Sequence, residues 1–356
     1  MSNPPTLIFI PGSWHKPLCY DPLIQILQDQ HGLKCTAVAL PSNSENPAAT
    51  FKDDLDVARD AISSETRLGR NVVVIAHSYG GMVGNSAIKG FARRDDQSEH
   101  QRDDGDSVGT ATATGTDTNI HPHQPSPRKR DTGSVIGLIL IASGFTFTGL
   151  TFMDPFLDHP PPAWRANRST GFAELITPPR ELFYHDLSPT EAAYWTAQLT
   201  PQSLKALFEG REHTYAGWQD VPVWYVGTTE DRGLPVLAQR VGVGMARGMG
   251  ARVEHREVRT SHSPFLSQPM ETGGIVVEAV RAFVEEDEEG GGGVKGRERE
   301  RECRDVVTVP KAVLWRPFTW LRFGLPLVLG HVVGRGILVF SWGRRMWRSR
   351  FGLRSV

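Results

Sequence analysis

The sequence predicts an α/β fold, a mostly parallel, doubly wound sheet carrying a helical cap, and three observations point to it. Short β-branched runs alternate with amphipathic stretches from Thr6 onward, the rhythm required by a parallel sheet covered on both faces. The run Val72-Val73-Val74-Ile75 stops at Ala76-His77-Ser78-Tyr79-Gly80-Gly81 and passes into small and apolar residues with helical spacing, so strand, sharp turn and helix follow one another. From 149 to 220 the strand rhythm gives way to prolines, tryptophans and short amphipathic segments, as in an insertion folded over a sheet.

In chain order, Thr6 to Ile10 reads as a strand and Pro11-Gly12-Ser13-Trp14-His15 as the loop after it. Leu23, Ile24, Ile26 and Leu27 give one apolar face to a helix from Tyr20 to Gln30, and His31-Gly32 ends it. Cys35 to Leu40 is the next strand. Thr50 is a candidate N-cap for the helix that follows, because acidic residues fill its first turns. After the strand at Val72, residues 93–133 mix Asp, Gln, Ser, Thr, Gly and Pro with few large apolar side chains, and read as a disordered insertion. Val135 to Gly144 returns to a central-strand composition, and a helix from Pro189 to Leu199 belongs to the cap. Val221 to Gly227 resumes the sheet, followed by a helix from Pro235 to Met249, a strand from Val253 to Val258 and a last helix from Gly273 to Val284. Residues 1–289 form the expected globular domain. An acidic, glycine and Arg-Glu stretch makes 290–305 a linker, and 306–356 is a basic, tryptophan-rich apolar segment.

At 356 residues with a formal net charge of −1, the chain has no charge bias toward nucleic acid. Cys19, Cys35 and Cys303 stand far apart and in no metal-ligand spacing, which argues against a disulfide framework and for a reducing compartment. Neither a metal nor an organic cofactor is implied. The N-terminus runs straight into a strand without the pattern of a secretory signal, so a cytoplasmic location is expected.

The chemistry gathers at the turn after Ile75. A serine there is aimed above the sheet edge, and the N–H of the next residue and the helix N-terminus point to the same place. Ser78 is the candidate nucleophile, and Ala76 and Gly80 are the small residues the tight turn needs. Acyl transfer requires two N–H donors where negative charge develops, and the backbones of Ser13 and Tyr79 are the candidates. Trp14 and His15 are candidate pocket residues. Asp231 rather than Glu230 follows a late strand where a carboxylate orients the base, and His262 follows the last core strand. The order Ser78, Asp231, His262 is that of a nucleophile-elbow hydrolase.

With these residues in place the chain resembles the α/β-hydrolase superfamily, and within it the small plant methylesterases and hydroxynitrile lyases and their fungal relatives. The likeness spans roughly 6–284 and rests on Gly12-Ser13-Trp14-His15, Ala76-His77-Ser78-Tyr79-Gly80-Gly81, Thr229-Glu230-Asp231-Arg232-Gly233-Leu234-Pro235 and His262 with Pro269. It implies a Ser78-His262-Asp231 triad and a Ser13/Tyr79 oxyanion hole. The lyases of the group carry a lysine after the catalytic histidine; Ser263 stands there, so ester hydrolysis of a carboxylesterase kind is implied instead. Ala76, Pro11, the insertion and everything after Glu289 depart from the group.

Two other readings compete with a serine hydrolase. The same fold can retain its pocket to bind a small ligand with negligible turnover, or the chain can serve chiefly as a membrane-associated scaffold. The second draws on 306–356, where no acidic residue follows Asp305 and Trp315, Trp320, Trp342 and Trp347 accompany an apolar run and a cluster of arginines. Pro326, His331, Arg335 and several glycines suit contact in the plane of a membrane surface better than a spanning helix.

Overall fold

The computed structural model describes residues 4–93, 132–289 and 324–351. The 290–305 linker and nearly all of the 93–133 insertion lie outside them. Nine strands are described: β1 (Thr6–Ile10), β2 (Cys35–Ala37), β3 (Val72–His77), β4 (Val135–Ile141), β5 (Trp164–Asn167), β6 (Phe172–Leu175), β7 (Gln202–Ser203), β8 (Val223–Thr228) and β9 (Val253–Val258). Six of them make one parallel sheet in the order β2-β1-β3-β4-β8-β9. The helices are α1 (Asp21–His31), α2 (Phe51–Thr66), α3 (Gly80–Ala87), α4 (Pro179–Phe183), α5 (Pro189–Ala197), α6 (Leu204–Phe208), α7 (Val236–Gly248), α8 (Pro264–Ser267), α9 (Pro269–Glu288) and α10 (Leu325–Phe351).

Side chains alternate across a strand, so one continuous apolar run feeds two cores. Val72, Val74 and Ala76 of β3 join Ile8 and Ile10 in a layer completed by Phe51, Leu55, Met82, Val83 and Val243 from α2, α3 and α7. Val73 and Ile75 join Leu7 and Phe9 in the opposite layer, completed by Leu23, Leu27, Val276, Val280 and Phe283 from α1 and α9. Thr50 does cap α2: its hydroxyl accepts from the Asp53 N–H while the Asp53 carboxylate accepts from Thr50 N–H at 2.8 Å.

The strand order fixes where a ligand can enter. β1 leads first to β2 on one side and the chain then crosses to β3 on the other, so the loops after β1 and β3 diverge to leave a crevice. Ser13 and Ser78 stand on these two loops.

The cap is not purely helical. Beside α4 and α5, β5, β6 and β7 form an antiparallel sheet. These strands are too short to show a two-residue period, and their pairing depends on a tight turn in which Asn167 Oδ1 accepts from the Ser169 and Thr170 backbones and Gly171 takes φ 78°.

Part of the C-terminal segment is docked on the domain. α10 lies along α7 so closely that a side chain at Gly330 or Gly334 would strike the carbonyls of Val241 or Met245, and one at Gly244 or Gly248 would strike those of Leu327 or His331. The glycines are four apart in both helices, which puts each pair on one face and lets the two backbones touch. The glycines that weigh against a spanning helix are the means by which this helix packs.

Candidate active site

The elbow is set by its neighbours. Ser78 has φ 50°, a left-handed conformation that a non-glycine residue adopts only under constraint. Its N–H donates to Ile141 O at 3.1 Å and its carbonyl accepts from the Ser143 hydroxyl at 2.6 Å, so the end of β4 holds the turn on both sides. Ala76 is accommodated because Gly84 of α3 faces it: a Cβ on Gly84 would lie 2.9 Å from the Ala76 methyl. The methyl therefore occupies space that α3 leaves open.

The loop after β1 is pressed onto this turn. A Cβ on Gly12 would meet His77 Nδ1 at 2.8 Å and Ser78 Cβ at 2.9 Å, and one on Gly80 would strike the carbonyls of Ile10 and Pro11. Asn43 staples the loop from outside: its Nδ2 donates to Gly12 O at 2.9 Å and His15 O at 3.0 Å, and its Oδ1 accepts from Trp14 N at 3.1 Å. Trp14 is held at φ 64°, donates from its indole to Ala173 O in the cap at 3.0 Å, and lies against Trp164 and Phe183. His15 is buried with both nitrogens engaged, Nδ1 with Ser13 O at 2.7 Å and Nε2 with the Tyr184 hydroxyl at 2.8 Å. Burial lowers its pKa to about 4, so a neutral imidazole donates to Ser13 O and accepts from Tyr184. Of the two candidate pocket residues, then, Trp14 ties the loop to the cap and His15 braces the Ser13 peptide.

Tyr79, whose N–H is the other candidate donor, is anchored by a buried carboxylate. Asp54 of α2 accepts from the Tyr79 hydroxyl at 2.7 Å, the Ser42 hydroxyl at 2.5 Å and the Ser42 N–H at 2.8 Å. Burial raises its pKa to about 6 despite these donors. The folded state thus favours protonated Asp54, and this contribution to stability is complete below the unfolded value near 3.8 and lost as pH rises through about 6. Asp54→Asn, a neutral isostere, is expected to remove that pH dependence, worth on the order of 3 kcal/mol in the wild type between those limits. Urea unfolding across that interval measures it, and parallel curves for the two proteins would refute it.

Asp231 and the candidate base are brought together. His262 Nδ1 lies 2.8 Å from Asp231 Oδ2, and both residues are buried. The carboxylate also accepts from Thr228 Oγ at 2.7 Å and Gln239 Nε2 at 3.2 Å on Oδ2, and from Gly233 N–H and Leu234 N–H, both at 2.7 Å, on Oδ1. Glu230 instead forms an exposed pair with Arg259 at 2.6 Å. The His262 ring lies tilted against Phe183 of the cap, and its carbonyl accepts from His77 Nε2 at 2.9 Å. Burial drives the pKa of His77 well below its usual value, so it is a neutral donor that ties the residue before Ser78 to the histidine loop. From the cap side, Ser261 N–H donates to Asp186 at 2.8 Å and its hydroxyl to Phe183 O at 2.6 Å.

The Ser13 loop, Ser78 and Tyr79 thus meet at the crevice between β1 and β3, and His262, with Asp231 behind it, is joined to that turn through His77. Asn43, Asp54, His77, Thr228 and Gln239, which support them, were not singled out by sequence reasoning. Only His77 lay within a motif that it used. Among the described residues no group of His, Cys, Asp and Glu is arranged to hold a metal.

A family model described as "Alpha/beta hydrolase family" matches residues 7–272, about three quarters of the chain. The chain belongs to the α/β-hydrolase family. It is 24% identical over 280 residues to "Alpha/beta hydrolase nvfD" of Aspergillus novofumigatus, an alignment covering 78% of this chain and 95% of that one. Among solved structures, polyneuridine aldehyde esterase superposes with a TM-score of 0.53 at 17% identity, covering 78% of this chain and 99% of the esterase. Tomato methylketone synthase I complexed with 2-tridecanone gives 0.55 at 12% identity, covering 79% and 99%. At these identities the structural likenesses establish the fold of this α/β-hydrolase.

Proposed function

We propose that this α/β-hydrolase is a serine hydrolase cleaving an ester or related acyl bond of a small, apolar substrate, with Ser78 as nucleophile, His262 as general base and Asp231 as its partner. The observation that carries the reading is the His262 Nδ1 to Asp231 Oδ2 hydrogen bond of 2.8 Å at the sheet edge where Ser78 stands at φ 50°. With Nδ1–H committed to the carboxylate, His262 Nε2 carries the lone pair and accepts the Ser78 proton as Oγ attacks the carbonyl carbon. The Ser13 and Tyr79 N–H groups receive the oxyanion. His262 returns the proton to the departing alkoxide, and a water deprotonated by the same nitrogen then releases the acyl group as a carboxylic acid.

An apolar substrate is supported by the aromatic side chains around the site, Trp14, Trp164 and Phe183, which exclude water and strengthen the electrostatics within. The structural relatives, an esterase and a synthase complexed with 2-tridecanone, agree with small acyl or carbonyl compounds. Labelling with a fluorophosphonate, which reacts only with an activated serine, tests the assignment. The wild type is expected to be labelled and Ser78→Ala not. Equal labelling of the two, or an unlabelled but folded wild type, would return the chain to the ligand-binding alternative.

A further inference from the structure

α10 is docked on one face and bare on the other. The face against α7 carries Gly330 and Gly334, with Pro326 buried. Opposite it, Leu325, Val328, Val332, Val339 and Trp342 are 56–67% exposed, and they recur at three-, four- and seven-residue steps that keep them on one side of a helix, with exposed Arg335 on the same side. Leu329, Val333 and Phe340 widen this face toward half the circumference. The stretch Leu325–Arg344, 20 residues, is long and apolar enough to cross a membrane by length and composition.

We propose that the exposed face of α10 is a membrane-docking surface, seated in the plane of a bilayer that carries anionic lipid. Three observations select this occupant. Arg335 and Arg344 are exposed on α10, Arg345, Arg348 and Arg350 follow in the sequence, and no acidic residue comes after Asp305. A second copy of the helix would bring like charges together, whereas anionic headgroups complement them. The apolar face is also far broader than the narrow seam that helix pairing uses, and a broad face suits immersion to the depth of the acyl boundary, with Trp342 at the interface. Finally, α7 runs alongside α10 and carries Arg240, Gln239 and Arg247, which bond to Glu257, to the Asp231 network and to Val253 O. A bilayer enclosing all of α10 would have to enclose that polar flank, so α10 lies in the surface and does not span it. The proposal is independent of any role for Ser78, since binding is read without turnover.

Sedimentation of the full chain with vesicles of phosphatidylcholine, with and without phosphatidylserine, tests it. The full chain is expected to bind the phosphatidylserine vesicles on the order of tenfold more tightly at low salt, and to be released by alkaline carbonate. Val332→Glu combined with Val339→Glu, which leaves the α7 face untouched, is expected to keep the protein in the supernatant with unchanged urea unfolding. Absence of vesicle binding, binding unaffected by the glutamates, or resistance to carbonate extraction would each overturn the proposal. A dimer in vesicle-free solution that the glutamates dissociate, with no lipid binding, would overturn it in favour of a second copy.

Discussion

Asp231→Asn is expected to lower kcat by about four orders of magnitude while leaving folding and substrate binding close to the wild type. The argument lies in how the two carboxylate oxygens are occupied. Oδ1 accepts two backbone N–H groups, from Gly233 and Leu234, both at 2.7 Å. An asparagine must keep its carbonyl oxygen there, because an NH2 group facing two N–H donors would set three donors against one another. The amide nitrogen then takes the place of Oδ2, beside His262 Nδ1, Thr228 Oγ and Gln239 Nε2, and Gln239 keeps its bonds to the Thr228 hydroxyl and the Thr228 and Leu234 carbonyls. Thr228 can rotate its hydroxyl to accept. Nδ1 can accept only by giving up its proton, which moves to Nε2, and the nitrogen that must receive the Ser78 proton is then already protonated. The substitution is nearly isosteric, so KM and thermal unfolding are expected to hold while turnover of a p-nitrophenyl ester collapses. A kcat within about tenfold of the wild type would show that His262 draws its orientation from elsewhere.

Ser78, Asp231 and His262 stand out as candidates in the sequence because each lies within four residues of a strand's end, where composition changes sharply, and because parallel winding sends all such loops to one edge. The residues that hold them do not. Gln239 sits in an amphipathic helix where a glutamine reads as surface, yet it is buried and bonds to Thr228 and Asp231. Asn43 is a loop asparagine like many others until the chain brings it against the Gly12 and His15 carbonyls, 31 and 28 residues away. Asp54 looks like one of several acids in the first turn of α2, and only burial against Tyr79 separates it from exposed Asp53. Contacts of this kind depend on tertiary approach, and no local period announces them. The cap strands escaped for a related reason: β7 holds two residues and pairs with a strand about thirty positions earlier. α10 shows the converse. Its glycines were legible as departures from a spanning helix, and their four-residue spacing acquired a meaning once α7 was seen to repeat it.

The second large effect is expected at a residue with no side chain. Gly12→Ala should lower kcat by about two to three orders of magnitude, the loss typical of removing one oxyanion donor. A methyl at that position would press on His77 Nδ1 at 2.8 Å, Ser78 Cβ at 2.9 Å and the His77 carbonyl oxygen at 3.2 Å. None of these atoms is the free end of a flexible chain. His77 is tied through Nε2 to His262 O, and Ser78 is fixed at both its N–H and its carbonyl, so the elbow cannot retreat. The loop after β1 must move instead, against the three bonds by which Asn43 holds it, and the Ser13 N–H moves with it. A displacement of a few tenths of an ångström is enough to weaken a donor aimed at a charge that exists only in the transition state, while ground-state binding hardly registers it. The signature is therefore a fall in kcat at nearly constant KM. Asn43→Ala, which frees the same loop without pushing it, should give a milder fall of the same form. If Gly12→Ala instead raised KM at constant kcat, the loop would be lining the pocket and the second N–H donor would have to be sought outside it.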